Sequence, residues 1–263
     1  MKPPRRRMTM DPTQRFSDRV ENYVKYRPGY PAAVIDTLKV DCRLTEDSVI
    51  ADVGSGTGIL TELFLKNGAR VFGVEPNREM RAAAERLLGG HARFTSVAAT
   101  AEATTLPAHS VDFVTAGQAF HWFDRQKARQ EFRRILKPQG WVVLVWNERR
   151  TKATPFLEAY EKLLLTYAVD YASVDHRLIT DEVIAAFFRP GAFKLKVFES
   201  NQPQDFQGCQ GRLLSASYTP RAGHPNYAPM LAELRSIFDA YQVNGTVPFE
   251  YDTKLYYGQL PAL

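Results

Sequence analysis

One stretch constrains this chain more than any other: Val49-Ile50-Ala51-Asp52-Val53-Gly54-Ser55-Gly56-Thr57-Gly58. A short apolar run carrying one acid is followed by three glycines on alternate positions. The run has the length and bounds of a buried parallel strand, and Ile59–Lys66 has the pattern of the helix that follows, stopped by Asn67-Gly68. A glycine turn between strand and helix lets a ligand approach the main chain and leaves the first helical amides facing it. A second apolar run, Arg70-Val71-Phe72-Gly73-Val74, then ends in Glu75, about 20 residues beyond the turn, where an acid reaches ribose hydroxyls. Strand, glycine turn, helix, strand and acid together predict an adenosine-binding half-site.

The glycine spacing narrows the cofactor. In the G-x-G-x-x-G fingerprint of nicotinamide and flavin proteins the third glycine would fall where Ile59 stands. The pattern Asp52-x-Gly54-x-Gly56-x-Gly58 instead resembles the nucleotide-binding motif of class I S-adenosylmethionine-dependent methyltransferases, and Val74-Glu75-Pro76-Asn77-Arg78-Glu79-Met80 resembles their second motif. The resemblance implies an α/β fold, a doubly wound, seven-stranded and mostly parallel sheet with helical lid insertions. It also implies S-adenosylmethionine as cofactor. The expected cradle is Asp52, Gly54, Ser55, Gly56, Thr57 and Gly58, with Glu75 on the ribose and Pro76 and Met80 flanking the adenine. Asp52 would orient the turn or take the donor's ammonium through water. Met80 has the alternative of a core methionine.

Composition sets wider bounds. With 263 residues the chain can bury a full core, and its 44% hydrophobic and 24% charged residues are ordinary for a globular protein. No apolar run approaches the roughly 18 residues of a membrane span. The segment Met1-Lys2-Pro3-Pro4-Arg5-Arg6-Arg7 has no apolar stretch behind it and is expected to be a disordered basic tail over residues 1–12, not a secretory signal. Cys42 and Cys209 are too few for a disulfide framework, which makes a cytoplasmic setting the default. The formal charge of +5 is mild and its clusters are scattered, so no nucleic-acid partner is expected.

Residues 13–263 are expected to form one domain, with a flap and helix at 13–46, a cofactor-binding core at 47–147 and sheet completion with lid inserts at 148–263. Strands are expected at Val49–Val53, Val71–Val74, Ala92–Val97, Val111–Ala116 and Trp141–Trp146, with helices at Arg78–Leu88 and Asp124–Leu136. Lys137-Pro138-Gln139-Gly140 should stop the second of these helices. Beyond Asn147, helices are expected at Pro155–Tyr167, Asp181–Phe188, Phe206–Ser217 and Ala228–Gln242, and strands at Phe193–Glu199 and Val247–Tyr257. Inserts at Glu148–Pro190 and Asn201–Asn244 are too long for plain connections.

Methyl transfer from a sulfonium is an in-line displacement that needs alignment and a dry site, with no metal and no covalent nucleophile. After strand three, Ala101-Glu102 resembles the segment that reads the adenine edge, although Glu102 is equally readable as a solvated loop acid. After strand four, Gly117-Gln118-Ala119-Phe120-His121-Trp122-Phe123 resembles the Ala-x-His-Trp-Phe signature of the small-molecule branch often called type 11, which includes trans-aconitate methyltransferase-like enzymes. There Gln118 would lie at the donor and Trp122 at the acceptor. His121 is a general base, a positioning residue or a core histidine. The segment Phe16 to Pro31 resembles the flap of that branch, in which Tyr23 and Arg27 would hold carboxylates. Leu213-Leu214-Ser215-Ala216-Ser217-Tyr218 resembles a Ser-x-Ser-Tyr element, offering Ser215 and Tyr218 to the acceptor.

The expected reaction is methylation of a small organic acceptor, with an oxygen nucleophile favoured. No Asn-Pro-Pro-Tyr or Asp-Pro-Pro-Tyr amino-group clamp follows strand four. A nicotinamide-dependent oxidoreductase and a non-catalytic S-adenosylmethionine-binding regulator are the alternatives.

Overall fold

The computed structural model describes residues 19–171 and 179–261. The expected tail at 1–12 and the Phe16-Ser17-Asp18 end of the flap motif lie outside them. All seven strands join one sheet: β1 (Val49–Val53), β2 (Arg70–Val74), β3 (Phe94–Val97), β4 (Val111–Gly117), β5 (Leu136–Arg149), β6 (Phe193–Gln204) and β7 (Val247–Gln259). Their order is β3-β2-β1-β4-β5-β7-β6. The sheet is mixed. β1, β2, β3, β4 and β5 pair in parallel, while β7 lies antiparallel to both β5 and β6. The carboxyl ends of β1, β2, β4 and β5 therefore share one edge, where open α/β sheets hold their ligands.

Side chains alternate across the strands and build two cores. On one face Ala51, Val53, Val114, Leu144 and Trp146 meet Phe132 of α5 (Arg125–Ile135) and Phe188 of α7 (Asp181–Phe188). On the other, Ile50, Phe113, Val143 and Val145 meet Leu38 of α2 (Ala33–Cys42) and Phe64 of α3 (Ile59–Lys66). Each fully buried Phe or Leu contributes about 2 kcal/mol of apolar transfer. A third core lies past the end of the sheet. There Phe249 and Tyr251 of β7 pack with α6 (Pro155–Tyr167), α8 (Phe206–Leu214) and α9 (Tyr227–Tyr241).

Local chemistry explains where the helices begin. Asn77 accepts a hydrogen bond from the Met80 amide at 2.9 Å to start α4 (Arg78–Leu88). Asp124 does so for α5, Thr154 for α6 and Asp205 for α8.

Several boundaries differ from expectation by a few residues, and three of the differences are informative. Lys137-Pro138-Gln139-Gly140 does not precede β5 but lies within it: Leu136 pairs with Val111 and Trp141 with Phe113, so the four residues bulge out between them. β6 continues through Gln204 because it pairs with β7 along its whole length, and this moves the start of the second insert to Asp205. α8 ends at Leu214, with Ser215 as its C-cap.

Candidate functional site

An open cleft lies at the carboxyl edge of the sheet, between the glycine turn and the loops after β2, β3 and β4. Of the residues expected from sequence, Tyr23, Gly54, Gly56, Glu75, Pro76, Met80, Ala101, Glu102, Gln118 and Trp122 line it. A smaller recess beside it is lined by Asp52, Ser55 and Thr57. Gly58 is on neither wall.

The alternate glycines serve different contacts. Gly54 and Gly56 have φ of +68° and +58°, which disfavours any side chain. A Cβ at Gly54 would fall 2.5 Å from the Ala119 Cβ, so this glycine lets the aromatic loop close on the turn. A Cβ at Gly56 would meet only the Met80 methyl, at 3.4 Å. Gly56 is thus the glycine whose bare backbone faces the cleft. Gly58 instead gives room to Leu88 of α4, a packing role where cofactor contact was expected. After it α3 starts without a side-chain cap, which leaves its first amides open.

Two acids hold this geometry. Asp52 is fully buried and accepts from Thr61 Oγ1 at 2.6 Å and Thr115 Oγ1 at 2.9 Å, tying β1 to α3 and β4. Burial pushes its carboxyl up to about 6 against the pull of the two threonines. Asp52 was expected to orient the turn or to take the donor's ammonium through water; it ties β1 to α3 and β4 and lines the recess. Glu75 accepts from the Gly56 amide at 2.9 Å and the Asn77 amide at 2.8 Å, one on each oxygen. Burial also raises Glu75, with those amides opposing. Each oxygen retains a second lone pair. The Glu75 carboxylate is thus able to accept from two adjacent hydroxyls, as a ribose presents them. The hydroxyl of Thr57 is buried without a partner among the described residues. With the bare Gly56 backbone, these groups fit the adenosine and amino-acid ends of S-adenosylmethionine.

The loop after β4 behaves in part as expected. Gln118 has φ of +58°, a strained conformation for a non-glycine residue, and donates to the Asn147 carbonyl at 3.0 Å. Trp122 and Phe123 reach the cleft. His121, in the single 3₁₀ turn Phe120–Trp122, does not line it; its ring centroid lies 4.6 Å from that of Trp122. Glu102 lines the wall and accepts from the Asp124 amide at 2.9 Å.

Three expected contacts are displaced. Arg27 does not line the cleft; it donates to Ser215 Oγ at 3.0 Å and to the Ser215 carbonyl at 3.2 Å. Ser215 is fully buried, so its hydroxyl meets Arg27 and the Arg212 carbonyl and not the cleft. Tyr218 stacks edge-on against Tyr171, with centroids 4.7 Å apart, away from the cleft wall. Sequence reasoning missed the cleft residues Asn77, Thr100, Gly117, Ala119 and Phe123 as contacts, although four of them lie inside motifs it had singled out.

Residues 51–144 match the family model described as a methyltransferase domain. This core is similar to a methyltransferase domain. An uncharacterized methyltransferase-like protein of Schizosaccharomyces pombe is 33% identical over 162 residues, 60% of each chain. An uncharacterized methyltransferase of Mycobacterium tuberculosis is 36% identical over 134 residues, 51% of this chain and 52% of that one. The match thus covers less than two thirds of these relatives' length. Among solved structures, a candidate type II methyltransferase from Anaeromyxobacter dehalogenans shares the fold, with a TM-score of 0.62 at 23% identity over 89% of this chain and 97% of that one. So does a phosphoethanolamine N-methyltransferase of Haemonchus contortus in complex with phosphomonomethylethanolamine and S-adenosylhomocysteine, at a TM-score of 0.56 and 16% identity over 92% of this chain and 57% of that one. Together these findings relate the 51–144 core to methyltransferase domains, and the fold to that of solved methyltransferases. Among the described residues, no helix is long and apolar enough to cross a membrane.

Proposed function

We propose that the whole chain is an S-adenosylmethionine-dependent methyltransferase that methylates an oxygen of a small organic acceptor, as in the trans-aconitate methyltransferase-like branch. The observation that carries this is Glu75, whose two oxygens each hold one backbone amide and keep one lone pair for a vicinal diol. When bound, S-adenosylmethionine would supply an electrophilic methyl group, its sulfur keeping the electron pair of the broken bond, for displacement by the acceptor oxygen. The chain's own tasks are to bind and align. Gly56 gives the methionine portion room against the backbone, Thr57 supplies a hydroxyl, and Met80 and Ala101 give apolar contact to the adenine. Trp122 and Phe123 exclude water from the end of the cleft nearest β4. The position of His121 off the cleft wall favours an acceptor oxygen that is already ionised, since a carboxylate needs no base near neutral pH.

Calorimetric titration with S-adenosylhomocysteine and with NAD tests the proposal. The wild type should bind the first and not the second. Gly56→Val should lose that binding while its circular dichroism stays native, because a β-branched side chain at positive φ both strains the turn and fills the cleft. A folded Gly56→Val variant with unchanged affinity, or a wild type preferring NAD, would overturn it.

A further inference from the structure

At the carboxyl end of β5 two arginine side chains are largely buried, and among the described residues one carboxylate, that of Glu161, is paired with one of them. Arg149 and Tyr251 are direct cross-strand partners in the β5–β7 ladder, so their side chains leave the same face, shared two residues along β7 by Phe249. Arg212 of α8 lies over both rings, 4.7 Å from the Tyr251 centroid and 5.2 Å from that of Phe249. Arg149 lies 4.9 Å from the Tyr160 centroid on α6 and forms an ion pair with Glu161. Arg27 reaches the same place through Ser215, three residues after Arg212. Among the described residues, Arg149 is paired with Glu161, whereas Arg212 has rings and the charge of Arg27 beside it.

Arg212 is 9% exposed and Tyr251 1%. Nη1 of Arg212, Nη1 of Arg149 and the Tyr251 hydroxyl are all buried with no hydrogen-bond partner among the described residues. Taking a cation from water without a counter-charge is costly, and so is leaving a buried donor unmade. Burial holds Arg212 below the usual arginine range; Tyr251 opposes this and the nearby charge of Arg27 adds to it. A methionine would fill that space against Phe249 and Tyr251 without the cost. Each guanidinium lies over an aromatic ring, and the fixed fork of a guanidinium suits bidentate capture of a planar or tetrahedral oxyanion. The cluster is also close to the cleft, because the Arg27 guanidinium lies 4.9 Å from the centroid of Tyr23, a cleft-lining residue.

We propose that Arg149, Arg212 and the Tyr251 hydroxyl form an oxyanion subsite that anchors a carboxylate or phosphate monoester of the methyl acceptor. The assignment to an acceptor rests on the methyltransferase proposal above. It gives a role to charge that the fold alone does not require. It also places Ser215 as the residue that orients Arg27 beside this subsite, where contact with the acceptor itself was expected.

The test is calorimetry on the full chain saturated with S-adenosylhomocysteine, with succinate, inorganic phosphate and succinamide as probes. Succinate or phosphate should bind and succinamide should not, and the stronger of the two anions identifies the source. Arg212→Met should weaken the bound anion by roughly 10- to 100-fold, the scale of a lost charge-assisted hydrogen bond. Tyr251→Phe, which keeps the ring and removes one donor, should weaken it by roughly three- to tenfold with an unchanged melting temperature. Both variants should keep S-adenosylhomocysteine affinity within about twofold. Anion binding that survives both substitutions, or equal binding of succinamide, would overturn the subsite. Failure of the wild type to bind S-adenosylhomocysteine would instead overturn the methyltransferase proposal, since that titration precedes the anion step.

Discussion

Asp52 and Glu75 are both acids at strand ends, yet they do opposite things. Asp52 is buried between two threonine hydroxyls, whereas Glu75 stands on the cleft wall. The titration of Asp52 yields a prediction with a definite sign. Its carboxyl is raised from 3.8 to about 6, mainly by burial. Between those values the folded protein holds a proton that the unfolded chain has released, so this group's contribution to stability falls as pH rises through the window. Asp52→Asn removes the titration and leaves an oxygen acceptor for one threonine. Relative to that variant, the wild type should lose about 2 kcal/mol between pH 4 and 7, measured by urea unfolding at several pH values. A difference that stays constant with pH would mean that Asp52 is no harder to ionise in the fold than out of it. At this scale the sequence revealed the residues whose role is local. Glu75 and Gly56 stand in short motifs and could be read from spacing. Arg212 could not: it stands just before the 213–218 element with no motif of its own, and only the pairing of Arg149 with Tyr251 shows what it is buried against.

Elements were legible where hydrophobic period and capping agreed, as in β1, α3, α4 and α6, whose bounds match the sequence expectations. They were not legible where non-local pairing decided. The turn-like Lys137-Pro138-Gln139-Gly140 is carried inside β5 by its partners, and β6 is lengthened by β7. The same holds for α1 (Val20–Tyr26), a seven-residue helix with no buried residue of its own. It is fastened from outside itself. Arg19 donates to the Leu214, Ala216 and Thr219 carbonyls around the end of α8, and Arg27 donates to Ser215. Between them, Gly211 of α8 admits the ring of Tyr26: a Cβ there would lie 2.0 Å from Cε2. Gly211→Ala should therefore push the ring and α1 away from α8. The expected cost is about 1–3 kcal/mol of stability, the scale of overpacking. S-adenosylhomocysteine affinity should fall several-fold, because Tyr23 of the same helix lines the cleft. Calorimetry and chemical denaturation check the two effects, and a variant unchanged in both would show that α1 does not depend on this seat.

In the whole molecule, the parallel strands supply a rigid floor for the cleft, while α6, α8 and α9 form a separate packed layer around the far end of β7. The sequence foretold the floor and that helical additions would follow it, but not that the additions would share a core with the end of β7 and enclose buried arginines. The floor and the layer are linked through α1, which contributes Tyr23 to the cleft and is bonded to α8 through Arg19 and Arg27. A ligand in the cleft should accordingly stabilise more than the cleft. At a free concentration 100 times its dissociation constant, S-adenosylhomocysteine should add about 2.7 kcal/mol to the unfolding free energy. If the link through α1 carries part of this, hydrogen exchange should slow in Val20–Tyr26 and Phe206–Leu214 as well as in β1, α3 and β4. Gly56→Val should abolish the effect everywhere. Protection confined to residues 51–144 would show instead that the helical layer is indifferent to the cofactor. The acceptor would then have to bring cleft and layer together on its own.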